Sequence, residues 1–102
     1  MSTRLELHEE LCHILGSRNV YFQPPESVKM NYPCIKYSRS GMDHKRANDR
    51  LYLNTDRYEV IVIDKNPDSV FPDMILEYFP MCSFDREYTS NNLNHYVLTL
   101  YY

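Results

Sequence analysis

At 102 residues the chain has room for a single domain, 1–102, with a modest core. A composition of 43% hydrophobic and 25% charged residues is that of a folded globular protein, and a formal net charge of −3 is too slight to attract nucleic acid by its field alone. No apolar run approaches the roughly 20 residues a membrane span needs, and the polar N-terminal segment has no leader pattern, which predicts a protein that is intracellular or assembled inside a cell.

Ten tyrosines and no tryptophan are the compositional outlier. Tyrosine packs an apolar ring while its hydroxyl reaches water or a partner, so it suits both strands and interfaces. Cys12, Cys34 and Cys82 are too widely spaced for a zinc knuckle or a redox pair. They read as small buried hydrophobes in a reducing compartment.

In chain order, residues 3–16 predict a helix. Thr3 and Glu6 have capping-box spacing, Leu7, Leu11 and Ile14 recur on one face with Cys12 and Leu15 beside them, and Gly16 suits the stop. A short strand over 19–23 ends at Pro24-Pro25, followed by a loop through Asn31. Pro33 opens a strand over 34–38, with Cys34 and Lys36 on one face and Ile35 and Tyr37 on the other. Residues 51–63 form the longest strand region, divided by a turn or bulge at Asn54-Thr55-Asp56. Past that break Tyr58, Val60 and Val62 share a face opposite Ile61 and Ile63, the pattern of a strand that is central, or covered on one side by a helix and on the other by a partner.

Asn66-Pro67 predicts a second helix start, or Ser69 if Pro72 delays it. Phe71, Met74, Ile75 and Tyr78 form its stripe and Pro80 its stop. Residues 81–88 and 95–102 predict an antiparallel hairpin joined through Thr89-Ser90-Asn91-Asn92. In the first of these strands Asp85 and Glu87 are expected on one face and Arg86 on the other, as in an ordinary half-buried strand. In the second, Tyr96, Leu98, Leu100 and Tyr102 oppose Val97, Thr99 and Tyr101; it reads equally as an internal strand of a monomer or as a sheet edge that would offer free backbone groups to another subunit. The expected class is α+β: a mixed, mostly antiparallel sheet with two helices on one face, in the order α-β-β-β-α-β-β. The other face would carry tyrosines available for oligomerisation.

Chemistry is harder to find. Asp43, His44 and Asp49 could hold a metal or work on a phosphate, but their segment has no apolar anchor apart from Met42 and Ala47, and a catalytic site needs rigid support. His8 has no ligand-type partner other than Cys12 at helical spacing, His95 opens the last strand, and the two glycines, Gly16 and Gly41, make no phosphate loop. No enzyme, cofactor or metal is therefore expected. Between Arg39 and Arg50 stand four basic residues (Arg39, Lys45, Arg46 and Arg50) and two acidic ones. A solvated loop, a docking loop for a neighbouring protein and a small phosphate-binding patch are all open readings of it.

Three segments, "NVYFQPPESVKMNYPCIKYS", "LYLNTDRYEVIVIDKNPDS" and "CSFDREYTSNNLNHYVLTLYY", cover nearly the whole chain. In their order of elements they resemble the small tail-terminator, or tail-completion, minor tail proteins of long-tailed bacteriophages and prophages. The resemblance implies a structural, non-enzymatic subunit of a ring, commonly hexameric, that ends the tail tube and contributes to head-tail joining. It implies contacts with copies of itself, the tail tube protein and a head-side connector, with DNA only passing through a lumen. It places the protein at the head-proximal end of the virion tail, assembled in the host bacterial cytoplasm. The interaction residues expected on that reading are Arg39, Lys45, Arg46, Arg50, Tyr58, Val60, Tyr96 and Tyr101. Another head-tail connector or adaptor component, or a small nucleic-acid-binding module, is the alternative.

Overall fold

A computed structural model describes residues 4–25, 29–42 and 56–102, with 41 and 42 described by their backbone alone. The elements are α1 (Arg4–Leu15), β1 (Val20–Phe22), β2 (Cys34–Met42), β3 (Asp56–Asp64), α2 (Phe71–Tyr78), β4 (Cys82–Ser90) and β5 (Leu93–Tyr101). The fold is α+β: two helices packed on a five-stranded sheet of order β1-β2-β3-β5-β4. β1 runs parallel to β2, and every other pair is antiparallel.

Helix α1 forms where the apolar spacing places it. Leu7, Leu11, Cys12, Ile14 and Leu15 are buried, and Gly16 takes φ +80 as its amide donates to Cys12 O. That φ suits a residue without a Cβ, so the chain can turn out of the helix there. The Thr3 half of the capping box lies outside the described residues, as do Leu51 to Thr55 of the expected long strand.

The core is a single layer between the helices and one sheet face. Ile35 and Tyr37 of β2, Tyr58, Val60 and Val62 of β3, and Tyr96, Leu98 and Leu100 of β5 meet Leu7, Leu11 and Ile14 of α1 and Ile75 of α2. Strand alternation puts these residues on one face as their neighbours turn to the other. Cys34, Ile63 and Val97 are buried on that second face, beside half-buried Lys36, Glu59, Ile61 and Thr99. Among the described residues no helix covers it.

Several expectations need correcting. β2 runs on to Met42 because Arg39, Gly41 and Met42 pair with Tyr58, Arg57 and Asp56, with a register shift between Arg39 and Gly41. Cross-strand pairing and a bulge override the weak strand propensity of those residues. Helix α2 starts at Phe71, later than either expected start. The Asn66 amide donates to Asp64 Oδ1, the Asp68 amide to Asn66 Oδ1 and the Phe71 amide to Ser69 Oγ, so these polar side chains build turns ahead of the helix. Pro72 then falls in the first turn, where its missing N–H breaks no helical bond. The buried face of α2 runs through Pro72, Ile75 and the following Phe79, whereas Met74 and Tyr78 of the expected stripe are exposed.

The hairpin turn is shorter than expected. Asn91 (φ 54) and Asn92 (φ 63) form a two-residue connection between Ser90 and Leu93. Positive φ at both central residues matches the right-handed twist of the flanking strands, and asparagine tolerates it well.

Candidate interaction site

Of the eight expected interaction residues, Lys45, Arg46 and Arg50 lie outside the described residues, as does the Asp43, His44 and Asp49 cluster. Tyr58, Val60 and Tyr96 are covered by the subunit's own helices or loops, with exposures of 2%, 0% and 6%. The Tyr96 hydroxyl donates to Pro67 O at 2.8 Å, tying β5 to the turn before α2. Tyr101 is half-buried on the second sheet face, paired with Arg57 across β3. Arg39 is exposed but engaged. Its Nε lies 3.3 Å from Asp56 Oδ2, its Nη2 donates to the Tyr58 hydroxyl, and its guanidinium sits over the Tyr58 ring.

The helix layer carries two polar contacts of its own. His8 Nδ1 lies 2.7 Å from the Tyr37 hydroxyl, and Arg4 Nη1 donates to the same oxygen at 3.5 Å. Burial, and then the nearby Arg18 and Arg4 charges, lower the His8 pKa. Neutral His8 can accept the Tyr37 proton at Nδ1, so a chain of donors runs from Arg4 through Tyr37 to His8. Glu10 accepts hydroxyl protons from Tyr78 of α2 and from Tyr102 just past β5, clamping α1 to both. All six residues of this chain and clamp on the helices' side of the sheet have a structural account, and none needs a ligand to satisfy it.

Among the described residues no group of three or more histidine, cysteine, aspartate or glutamate side chains could hold a metal ion. Two shallow cavities among the described residues border α1: one lies against Glu9, Cys12, His13 and Arg18 at its C-terminal end, and another between α1 and α2. Burial raises the pKa of the Cys12 thiol and pushes Cys34 and Cys82 up to about 11, the opposite of what a nucleophilic cysteine requires.

The surface that stands out is β4. It forms one edge of the sheet, and eight of its nine residues are exposed. Phe84 and Tyr88 are 44% and 43% exposed, unusual for large rings in a strand. On the second face Tyr88 stacks flat on His95 of β5, with ring centroids 4.7 Å apart. Of the two readings open for the C-terminal strand, edge or interior, the structure has the interior one, because β5 lies between β3 and β4. A second correction concerns facing. A bulge between Phe84 and Arg86 turns Glu87 to the helix side with Phe84, and Arg86 to the second face with Tyr88.

No family model, curated protein or solved structure matched the chain. The functional reading therefore rests on the residues themselves. Sequence reasoning missed β4 because the strand order in a sheet is not written in local alternation. The signal available was its centre, Asp85-Arg86-Glu87, since charges in mid-strand mark an edge.

Proposed function

We propose that this chain is a structural assembly subunit, and specifically a ring subunit that ends a phage tail tube and contributes to head-tail joining. The observation that carries the assembly reading is the β4 edge, a nine-residue strand exposed almost throughout. Unpaired backbone groups along such an edge are ready to add a strand from another chain. The tail-terminator form of the reading rests on the resemblance of the three segments, and its partners are the tail tube protein and a head-side connector. Arg39, the described basic residue of the 39–50 stretch, is committed to Asp56 and Tyr58, which weakens the nucleic-acid alternative.

The test is light scattering on a size-exclusion column, negative-stain imaging of any large species, and co-sedimentation with purified tail tubes. Closed rings, or decoration of tube ends, are the expected results. A chain that forms no ring and ignores tubes at every concentration would overturn the tail reading.

A further inference from the structure

We propose that β4 pairs antiparallel with β4 of a second copy of this chain, about a two-fold axis passing between Asp85 and Arg86. The proposal goes beyond the ring reading and does not depend on it.

The hydrogen-bonding pattern of β5 fixes which groups of β4 are free. Tyr101 donates its amide to Met81 O, and Tyr102 donates to Asp56 O just at β3. In an antiparallel ladder the bonding direction alternates, so odd-numbered residues of β5 bond to β4 and even-numbered ones to β3. On β4, Ser83, Arg86, Tyr88 and Ser90 sit opposite Thr99, Val97, His95 and Leu93, and they bond inward. Cys82, Phe84, Glu87 and Thr89 sit opposite even-numbered residues, so their amides and carbonyls point outward. Asp85 is the extra residue of the bulge.

The free set, Cys82, Phe84, Glu87 and Thr89, is its own mate. A two-fold placed between Asp85 and Arg86 sets Cys82 opposite the second copy's Thr89, and Phe84 opposite its Glu87. Every outward residue then meets an outward residue, and because the bulge reverses facing between Phe84 and Arg86, each opposed pair also projects from the same sheet face. Without the bulge, a centre between two residues would oppose side chains of different faces. The charges agree with the geometry. Asp85 meets the second copy's Arg86 and Arg86 its Asp85, joining the 2.8 Å Asp85–Arg86 pair within each chain into a four-charge cluster on the axis. Moving the axis by half a residue either way sets Asp85 against Asp85, or Arg86 against Arg86 and Asp85 against Glu87, and like charges directly opposed are unfavourable. Charge, facing and bonding thus select the same register, and the occupant they select is a second copy of this chain.

Such a contact is isologous and closes on itself, giving a dimer with a continuous ten-stranded sheet, whereas a ring needs a separate head-to-tail contact. The experiment is sedimentation equilibrium of the full chain, with circular dichroism to confirm folding of each variant. Glu87→Pro removes an outward N–H that the subunit does not use internally. Arg86→Asp makes the axis all acidic, and Asp85→Arg with Arg86→Asp restores complementarity with the order reversed. The wild type is expected to dimerise. Glu87→Pro and Arg86→Asp should each weaken the dimer about tenfold or more, and the double swap should recover it. A wild type that stays monomeric at the highest attainable concentration overturns the proposal. So does an oligomer indifferent to all three variants, or one that the double swap fails to rescue while Arg86→Asp disrupts it. A ring unchanged by Glu87→Pro would sink the β4 pairing and leave the tail reading standing; a β4-dependent dimer that ignores tail tubes would do the reverse.

Discussion

Val60→Ala separates a core role from an interface role for the middle of β3. Val60 is fully buried on the helix side of the sheet, registered between Tyr37 of β2 and Leu98 of β5, both themselves buried. The substitution removes two methyl groups, a transfer loss of ~1.6 kcal/mol at ~0.8 kcal/mol each. The central strand cannot collapse to fill the space while both its neighbours stay paired, so a cavity contribution raises the cost to about 2–3 kcal/mol. For a domain this size each kcal/mol moves the melting temperature by about 4–8 °C, so a fall of at least ~8 °C is expected. Thermal and urea melts should show the loss with an unchanged urea slope, and sedimentation should show an unchanged oligomeric state. A variant that melts within about 3 °C of the wild type yet assembles differently would refute the reasoning, because it would put Val60 at a surface between subunits.

Two further predictions come from the polar contacts and a third from the hairpin turn. The folded-state pKa of His8 is lowered, so the unfolded chain binds its proton more readily. Stability should therefore be complete above the ordinary histidine value of about 6.5 and fall as pH drops through it, and His8→Gln should flatten that part of a melting-temperature profile. An unchanged slope in the variant would place the pH dependence elsewhere. Glu10→Ala removes one acceptor shared by the Tyr78 and Tyr102 hydroxyls and should lower the melting temperature by about 5 °C, with an added Tyr78→Phe recovering none of it. At the hairpin tip, Asn92→Gly should hold or raise stability, whereas Asn92→Val should cost about 1–2 kcal/mol, since a β-branched residue resists the positive φ that the turn requires. Chemical denaturation reads both, and equal effects would argue against the two-residue turn.

Much of the fold was legible because its strongest signals are local. The 3.6-residue spacing of Leu7, Leu11 and Ile14 and the alternation of Tyr58, Val60 and Val62 each describe a single element meeting a single core, and the structure uses both. Errors arose where the same residues serve two purposes. Asp64, Asn66 and Ser69 are helix-capping types, but here their side chains fold the backbone into turns before the helix begins. The tail of β2 is polar and contains glycine, and only its partner strand makes it extend to Met42. The candidate site was the least legible part. Tyr58, Val60 and Tyr96 are aromatic or apolar, as interface residues are, but so are core residues, and alternation alone does not reveal which sheet face the helices cover. The role of β4 depends on strand order and on a one-residue bulge, and neither leaves a periodic trace in the sequence.

The strand order also shapes how the chain reaches this structure. β4 and β5 are joined by two residues and zip together locally, whereas β3 meets β5 only after the whole α2 segment and β4 have been traversed. Apart from β1, which lies parallel along β2, the sheet is thus two antiparallel ribbons, β2 with β3 and β4 with β5, sewn along one long-range seam from Arg57–Tyr101 to Asp64–Asn94. Hairpins close in about 1–10 μs, while a distant pairing must first overcome a larger loop entropy. The seam should therefore set the folding rate, in the millisecond-to-second range typical of sheets held by distant contacts. Until it closes, β3 and β5 each expose a strand edge that the finished subunit hides, so the short-lived half-sewn chain is the species most exposed to mispairing with its neighbours.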